Sequence, residues 1–155
     1  MNSNVVWRGS VCENGSNPRG VNTLLIDPFS CSVQEIRTFD TGRSRDAARR
    51  LGRYLPELNH GRVVVGVSAD DASAELSYAE SALREFGADV RDVQYRGSFA
   101  FIAQKGYPSK TAFRKVLTEA ESNRSPARVN AIVTGTQSAV RLYRKHCELC
   151  KRRAS

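Results

Sequence analysis

The chain has 155 residues, the size of a single domain. Hydrophobic residues make up 40% of it and charged residues 26%, a globular composition that excludes a mainly disordered protein. No apolar run approaches about 18 residues, which excludes a transmembrane helix, and the start lacks the pattern of a signal peptide. We therefore expect an intracellular protein, a mature chain or an excised domain.

The net charge of +8 is concentrated in two segments. Residues 141–155 carry a net +5 and residues 43–53 a net +4, whereas the other 129 residues sum to −1. The body of the domain is near neutral. This argues against a positive electrostatic potential over the whole domain of the kind that binds nucleic acid. The basic segment 43–53 is compatible with binding a phosphate or sulfated polymer, and equally with a solvated charged face.

The cysteine and asparagine patterns bear on the compartment. An even number of cysteines permits two disulfides in three connectivities. Two N-glycosylation triplets begin at Asn14 and Asn123. Together these features favour an extracellular protein with at least one disulfide, for which Cys12 is the first candidate. The four cysteines are Cys12, Cys31, Cys147 and Cys150.

The first half of the chain predicts strands followed by a helix. Residues 5–7 form a short apolar strand. Residues 21–26 and 32–39 flank a turn at Pro28, which predicts an antiparallel hairpin. Apolar residues recur every three or four positions across 44–58, which predicts an amphipathic helix.

The second half continues the alternation of strands and helices. The continuous apolar run 62–68 predicts a central strand buried on both faces, and 98–104 predicts another. Residues 75–86 predict a second helix that Gly87 ends. The stretch 110–120 fits either a helix or a strand, and the turn formers and strand-like pattern that follow it favour a closing hairpin.

The predicted fold class is therefore α/β in a single domain, with much of its sheet antiparallel. We expect the domain to cover 1–135 and a basic C-terminal helix or tail to cover 136–155.

Signatures of catalysis are absent from the sequence. It contains no phosphate-binding glycine loop, no HExxH and no GxSxG motif, and neither histidine has a nucleophile nearby. The Cys-x-x-Cys motif at the end supplies too few ligands for zinc. We expect no enzyme activity, no metal and no cofactor. The acidic pair Asp70-Asp71 is of more interest, because it follows a buried strand where ligands often bind. The alternative is that one of the two caps the next helix.

Five segments of the sequence resemble the interleukin-like EMT inducer/PANDER-like family, also called the GG domain. They occur in the family's order and cover residues 19–107. The segments are Arg19-Gly20-Val21-Asn22, Arg37-Thr38-Phe39-Asp40-Thr41, Gly61-Arg62-Val63-Val64, Asp70-Asp71-Ala72-Ser73, and Tyr95-Arg96-Gly97-Ser98-Phe99-Ala100-Phe101-Ile102, which closes at Lys105-Gly106.

The resemblance implies an extracellular, non-catalytic domain. The family includes cytokine-like proteins, a domain of cell-surface hyaluronidase-type proteins and the sugar-binding stem of protein O-mannose N-acetylglucosaminyltransferase. It implies a β-sandwich-like α/β fold, with antiparallel sheets flanked by two or three helices. It also implies a carbohydrate site at Arg37, Asp70 and Arg96. A carboxylate accepts sugar hydroxyl protons, and guanidinium forks donate to sugar oxygens. Gly97 and Phe99 depart from the family pattern, in which Asp and Trp are common.

Two functions are compatible with this sequence. The first is a secreted or extracellular lectin-like module whose partner is a glycan or glycoprotein. The second is a cytokine-like signalling or protein-interaction domain with a cell-surface receptor, which requires an exposed apolar patch. Neither involves nucleic acid or a membrane span.

Overall fold

A computed structural model describes residues 4–7, 18–28, 32–125, 127 and 129–132. Strands and helices alternate along this part of the chain. In chain order the elements are β1 (Asn4–Trp7), β2 (Gly20–Ile26), β3 (Val33–Phe39), α1 (Arg45–Glu57), β4 (Val63–Ala69), α2 (Glu80–Glu85), β5 (Ser98–Gln104), β6 (Ala112–Val116), α3 (Glu119–Arg124) and β7 (Val129–Ile132). Among these, no helix is long and apolar enough to cross a membrane.

An open five-stranded antiparallel sheet organises the domain. Its order is β3-β2-β4-β5-β6, so the continuous apolar run of β4 is the central strand, as predicted. The predicted hairpin is formed by β2 and β3, with Val21 opposite Phe39. β1 and β7 form a separate antiparallel pair in which Asn4 lies opposite Ile132. The predicted α/β class, single domain and mostly antiparallel sheet are confirmed.

Both faces of the sheet are apolar because the central strands alternate between two cores. On one face, Val64 and Phe101 pack with the buried side of α1, including Leu51 and Leu55. On the other face, residues such as Val65 form a second cluster, to which Val129 of β7 belongs. Burial on both faces explains why β4 and β5 are continuously apolar rather than alternating.

α1 forms for the reasons visible in its sequence. The side chain of Ser44 accepts a hydrogen bond from the backbone N–H of Ala47, which caps the start. The predicted apolar stripe faces the core, and Tyr54 near its end is buried as well. Pro56 lies in the last turn, where the helix ends at Glu57.

The second predicted helix is divided. Leu76–Tyr78 form one turn of 3₁₀ helix, and α2 covers only Glu80–Glu85. Ala79 joins the two with φ −112°, and neither piece has a side-chain N-cap. The predicted end is confirmed, since Gly87 has φ +89° and its N–H bonds to the carbonyl of Arg84.

The strand alternative for 110–120 is confirmed by β6, and β7 forms in the strand-like segment that follows, but the two strands do not pair as the predicted closing hairpin. β6 pairs with β5, where Phe113 lies opposite Phe101, and β7 pairs with β1. Between them the predicted turn is α3, because the side chain of Thr118 accepts from the N–H of Glu121 and caps a helix. Several predictions lie outside the described residues: the pairing of the four cysteines, the basic C-terminal helix or tail 136–155 and the boundary near residue 135.

Candidate functional site

Two of the three predicted site residues meet at one end of the sheet. Asp70 directly follows β4, and Arg96 precedes β5, its neighbour in the sheet. Nε of Arg96 lies 3.5 Å from Oδ1 of Asp70, and the side chains are 46% and 51% exposed. The pair is therefore reachable by solvent, unlike a sealed ion pair that only closes the sheet end.

The backbone at both residues is in the left-handed region. Asp70 and Arg96 each have φ +52°, a conformation that costs a residue with a side chain about 1 kcal/mol or more. Surrounding contacts must hold the two residues in this state. Strained residues of this kind concentrate at functional sites, which makes the position a candidate for ligand binding.

Asp71 holds the two strained residues together. Its Oδ1 accepts hydrogen bonds from N and Oγ of Ser73, at 2.9 and 2.6 Å, and from N of Arg96 at 3.4 Å. Partial burial raises the pKa of Asp71, but these hydrogen bonds outweigh it and leave the pKa below its usual value. Asp71 is thus the structural member of the acidic pair, and Asp70 is the exposed one.

Arg96 also reaches across to α3. Its Nη1 donates to Oε1 of Glu119 at 3.0 Å, and this hydrogen bond is the main reason that the pKa of Arg96 is raised. The ring of Tyr95 lies 5.3 Å from the guanidinium carbon and is 60% exposed. Arg96 therefore lies between two carboxylates and beside an accessible aromatic face.

A second ion pair lies at the same end of the sheet. Nε and Nη2 of Arg19 donate to the two carboxylate oxygens of Asp40 at 2.9 and 2.8 Å. The hydrogen bond from Arg19 holds the pKa of Asp40 below its usual value, and Asp70 and Asp71 add to the acidic field around Arg19. Gly20, the first residue of β2 and the neighbour of Arg19, has φ +100°, and a Cβ there would lie 2.1 Å from the carbonyl oxygen of Phe39.

We call this group of charges the sheet-end cluster. Its members come from five separate stretches of the chain. They are Arg19, Asp40, Asp70, Asp71, Arg96 and Glu119.

The third predicted residue, Arg37, has different neighbours. Nε of Arg37 donates to Oε1 of Glu35 at 2.6 Å, and its guanidinium lies 4.6 Å from the ring centroid of Tyr54. Arg37 pairs with Thr23, which in turn pairs with Gly66, four residues before Asp70. This register places Arg37 about 10 Å across the strands and about 13 Å along them from Asp70. Convergence of all three residues on one ligand stays a prediction.

Sequence reasoning missed three members of the cluster. Arg19 and Asp40 lie within the matched segments, so their opposite charges were the available signal for a pair. Glu119 follows the matched region, and nothing in its local sequence indicates that it contacts Arg96. Within the described ranges, no group of three or more His, Cys, Asp or Glu side chains is arranged to hold a metal.

Comparison with known proteins agrees with the family resemblance of the sequence. The model of the family described as "Interleukin-like EMT inducer" matches residues 19–107. The chain is 33% identical over 95 residues to a Homo sapiens protein named cell migration-inducing and hyaluronan-binding protein, a match covering 60% of this chain. It is 30% identical over 91 residues, 57% of this chain, to a Danio rerio protein named cell surface hyaluronidase. Each match spans only 7% of the relative.

Proposed function

Because the chain belongs to the interleukin-like EMT inducer family, we propose that it is a non-catalytic, lectin-like module that binds carbohydrate outside the cell. The family and its relatives fit an extracellular interaction domain, and two relatives have names that refer to hyaluronan. The matched region is a small fraction of those proteins, so their activities are not carried over to this chain.

The exposed Asp70–Arg96 pair is the observation that supports this proposal. Both side chains of the pair are about half exposed, so atoms beyond those in the ion pair are accessible to a ligand. A carboxylate has lone pairs for two sugar hydroxyls, and a guanidinium has further N–H groups for ring or carbonyl oxygens. Since Asp71 already fixes the backbone of Arg96, little ordering of the main chain is needed when a glycan binds.

Tyr95 adds an apolar surface to these polar groups. Its exposed ring stands next to Arg96, where the C–H face of a sugar can pack. Arg37 lies too far from Asp70 to share one sugar ring with it, so we assign it to another unit of an extended glycan. The site thus favours an oligosaccharide over a single sugar.

The test begins with a glycan array probed with the purified chain, followed by titration of the strongest ligand. Asp70→Asn keeps the shape of the side chain and removes its charge. We expect it to weaken binding by roughly 1–3 kcal/mol with little change in melting temperature. Asp46→Asn is the matched control, because Asp46 is also exposed and ion-paired, with Arg50 on α1.

Two results would contradict the proposal. One is glycan binding that Asp70→Asn leaves unchanged, which would remove the site. The other is an array with no glycan bound, which would favour the cytokine-like or protein-interaction alternative.

A further inference from the structure

The outer side of α1 carries a row of arginines. Arg45, Arg49 and Arg53 are four residues apart, which places successive side chains about 6 Å apart along the helix. All three are exposed, and they lie away from the buried stripe that contains Leu51. We call these three residues together with Tyr78 the arginine face.

Tyr78 orders the first two arginines. The guanidinium carbons of Arg45 and Arg49 lie 5.1 and 5.0 Å from the centroid of its ring, which is 41% exposed. Gly52 makes this approach possible, since a Cβ there would lie 2.8 Å from the carbonyl oxygen of Tyr78. The backbone of Tyr78 is thus packed against α1, and contact with its ring restricts two long side chains before any ligand arrives.

The positive charge on this face is incompletely neutralised. Nε of Arg45 lies 3.3 Å from Oε2 of Glu75. The described residues provide no carboxylate within ion-pair distance of Arg49 or Arg53. By contrast, Arg50 on the adjacent side of α1 is paired with Asp46. Like charges four residues apart destabilise a helix, so this arrangement has a cost in the free protein.

We propose that the arginine face binds an anionic polysaccharide through its sulfate or carboxylate groups. A row of guanidinium forks at regular spacing complements a linear chain that carries repeated anions. Tyr78 offers a ring to the sugar backbone between those anions. This site is distinct from the sheet-end cluster and does not depend on sugar binding there.

Other polyanions fit the molecule less well. Outside residues 43–53 and 141–155 the chain has a net charge of −1, which provides no broad field for nucleic acid. The apolar side of α1 is buried in the core, so the helix cannot insert that side into a bilayer. The exposed side of α1 therefore suits a hydrophilic polymer that carries negative charges at regular spacing.

The experiment measures the affinity of the full chain for a heparin oligosaccharide, which is sulfated, and a hyaluronan oligosaccharide, which carries only carboxylates. The test variant is Arg49→Gln/Arg53→Gln. We expect about a tenfold or larger loss of affinity for at least one of the two, and a weaker dependence on salt. Arg49→Lys/Arg53→Lys keeps the charge and should lose less.

Two controls separate this site from other charges. Arg50→Gln removes an arginine that is already paired, and we expect less than about a twofold change. Asp70→Asn should leave binding of the heparin oligosaccharide intact, even if it abolishes binding of a glycan at the sheet-end cluster. Any contribution from the basic segment 141–155 is common to every variant.

The outcomes are distinguishable. Equal losses of affinity in Arg50→Gln and the double variant, or no loss of affinity in the double variant, would overturn the proposal. The arginine face would then be an ordinary solvated surface and not a binding site. Duplex DNA or phosphatidylserine vesicles bound as tightly as the oligosaccharides, with the same loss on mutation, would also overturn the proposal, because the face would then lack preference for polysaccharide.

Discussion

The sheet-end cluster and the arginine face use the same residue type in opposite ways. In the cluster, Arg19 donates two hydrogen bonds to Asp40, and Arg96 contacts both Asp70 and Glu119. On α1, neither Arg49 nor Arg53 has a carboxylate partner among the described residues. Arginines at the sheet end therefore help to hold loops in place, whereas those on the helix keep their donors for solvent or ligand. The distribution of partners, more than the number of arginines, distinguishes a preorganised site, whose arginines are held by carboxylates, from a surface whose arginines keep unpaired donors.

The largest loss of stability is expected at Gly20, where the backbone approaches closely beneath the sheet-end cluster. Gly20→Ala should lower the free energy of unfolding by about 2–4 kcal/mol, because the new Cβ meets the carbonyl of Phe39 in a residue with positive φ. Gly61→Ala is the control: Gly61 has φ +86° and no atom within 4 Å of the added Cβ. Urea unfolding measures both, and equal losses would show that the close approach at Gly20 is unimportant.

A smaller effect should separate the two members of the acidic pair. Asp71→Ala leaves the N–H groups of Ser73 and Arg96 without their acceptor, so we expect a loss of about 1–3 kcal/mol. Asp70→Asn, which keeps a side chain suited to the positive φ of this residue, removes one exposed ion pair and should cost at most about 0.5 kcal/mol. Thermal melting of the two variants tests the assignment, and the reverse order would exchange the roles given to Asp70 and Asp71.

Acid should weaken the sheet end and leave the arginine face charged. The pKa values of Asp40 and Asp71 lie below the usual value in the folded protein, so their contribution is complete above the unfolded pKa of about 4. It is lost as the pH falls toward the folded values. Stability measured from pH 6 down to pH 2 should therefore fall less steeply in Asp40→Asn. A parallel pH profile in that variant would exclude a contribution from Asp40.

The smallest change in stability is expected on α1, and it is a gain and not a loss. Arg53→Gln relieves repulsion from Arg49 and Arg50, four and three residues away, and loses only the attraction of Glu57, so the variant should be more stable by at most about 0.2–0.5 kcal/mol at low salt. The difference should vanish as salt screens the helix surface. Loss of stability instead would reveal a folded-state contact for Arg53 that the arginine face does not predict.

Most of the sheet was predictable because its signals are local. The continuous apolar run of β4, the turn at Pro28 and the stripe of α1 each lie within a short window. The error concerns the choice of partner: β6 pairs back with the preceding strand β5 and not forward with β7, and β7 pairs with the distant β1, which no local pattern selects. The division of the second helix at Ala79 was also invisible in its apolar spacing.

The candidate site was predictable only in part. Resemblance to the family indicated Asp70 and Arg96, which the fold brings together, but composition could not decide whether Asp70 or Asp71 is structural. That distinction depends on a hydrogen bond from Arg96, 25 residues away. Contact between Arg96 and Glu119 likewise follows from the placement of α3 beyond β6.

The antiparallel pairing of β1 with β7 sets where the chain enters and leaves the described part of the domain. Asn4 lies opposite Ile132, so the first and last described residues stand about 5 Å apart at the same end of this pair. A chain that enters and leaves side by side can continue into other domains at both ends without distorting the sheet or its charged end.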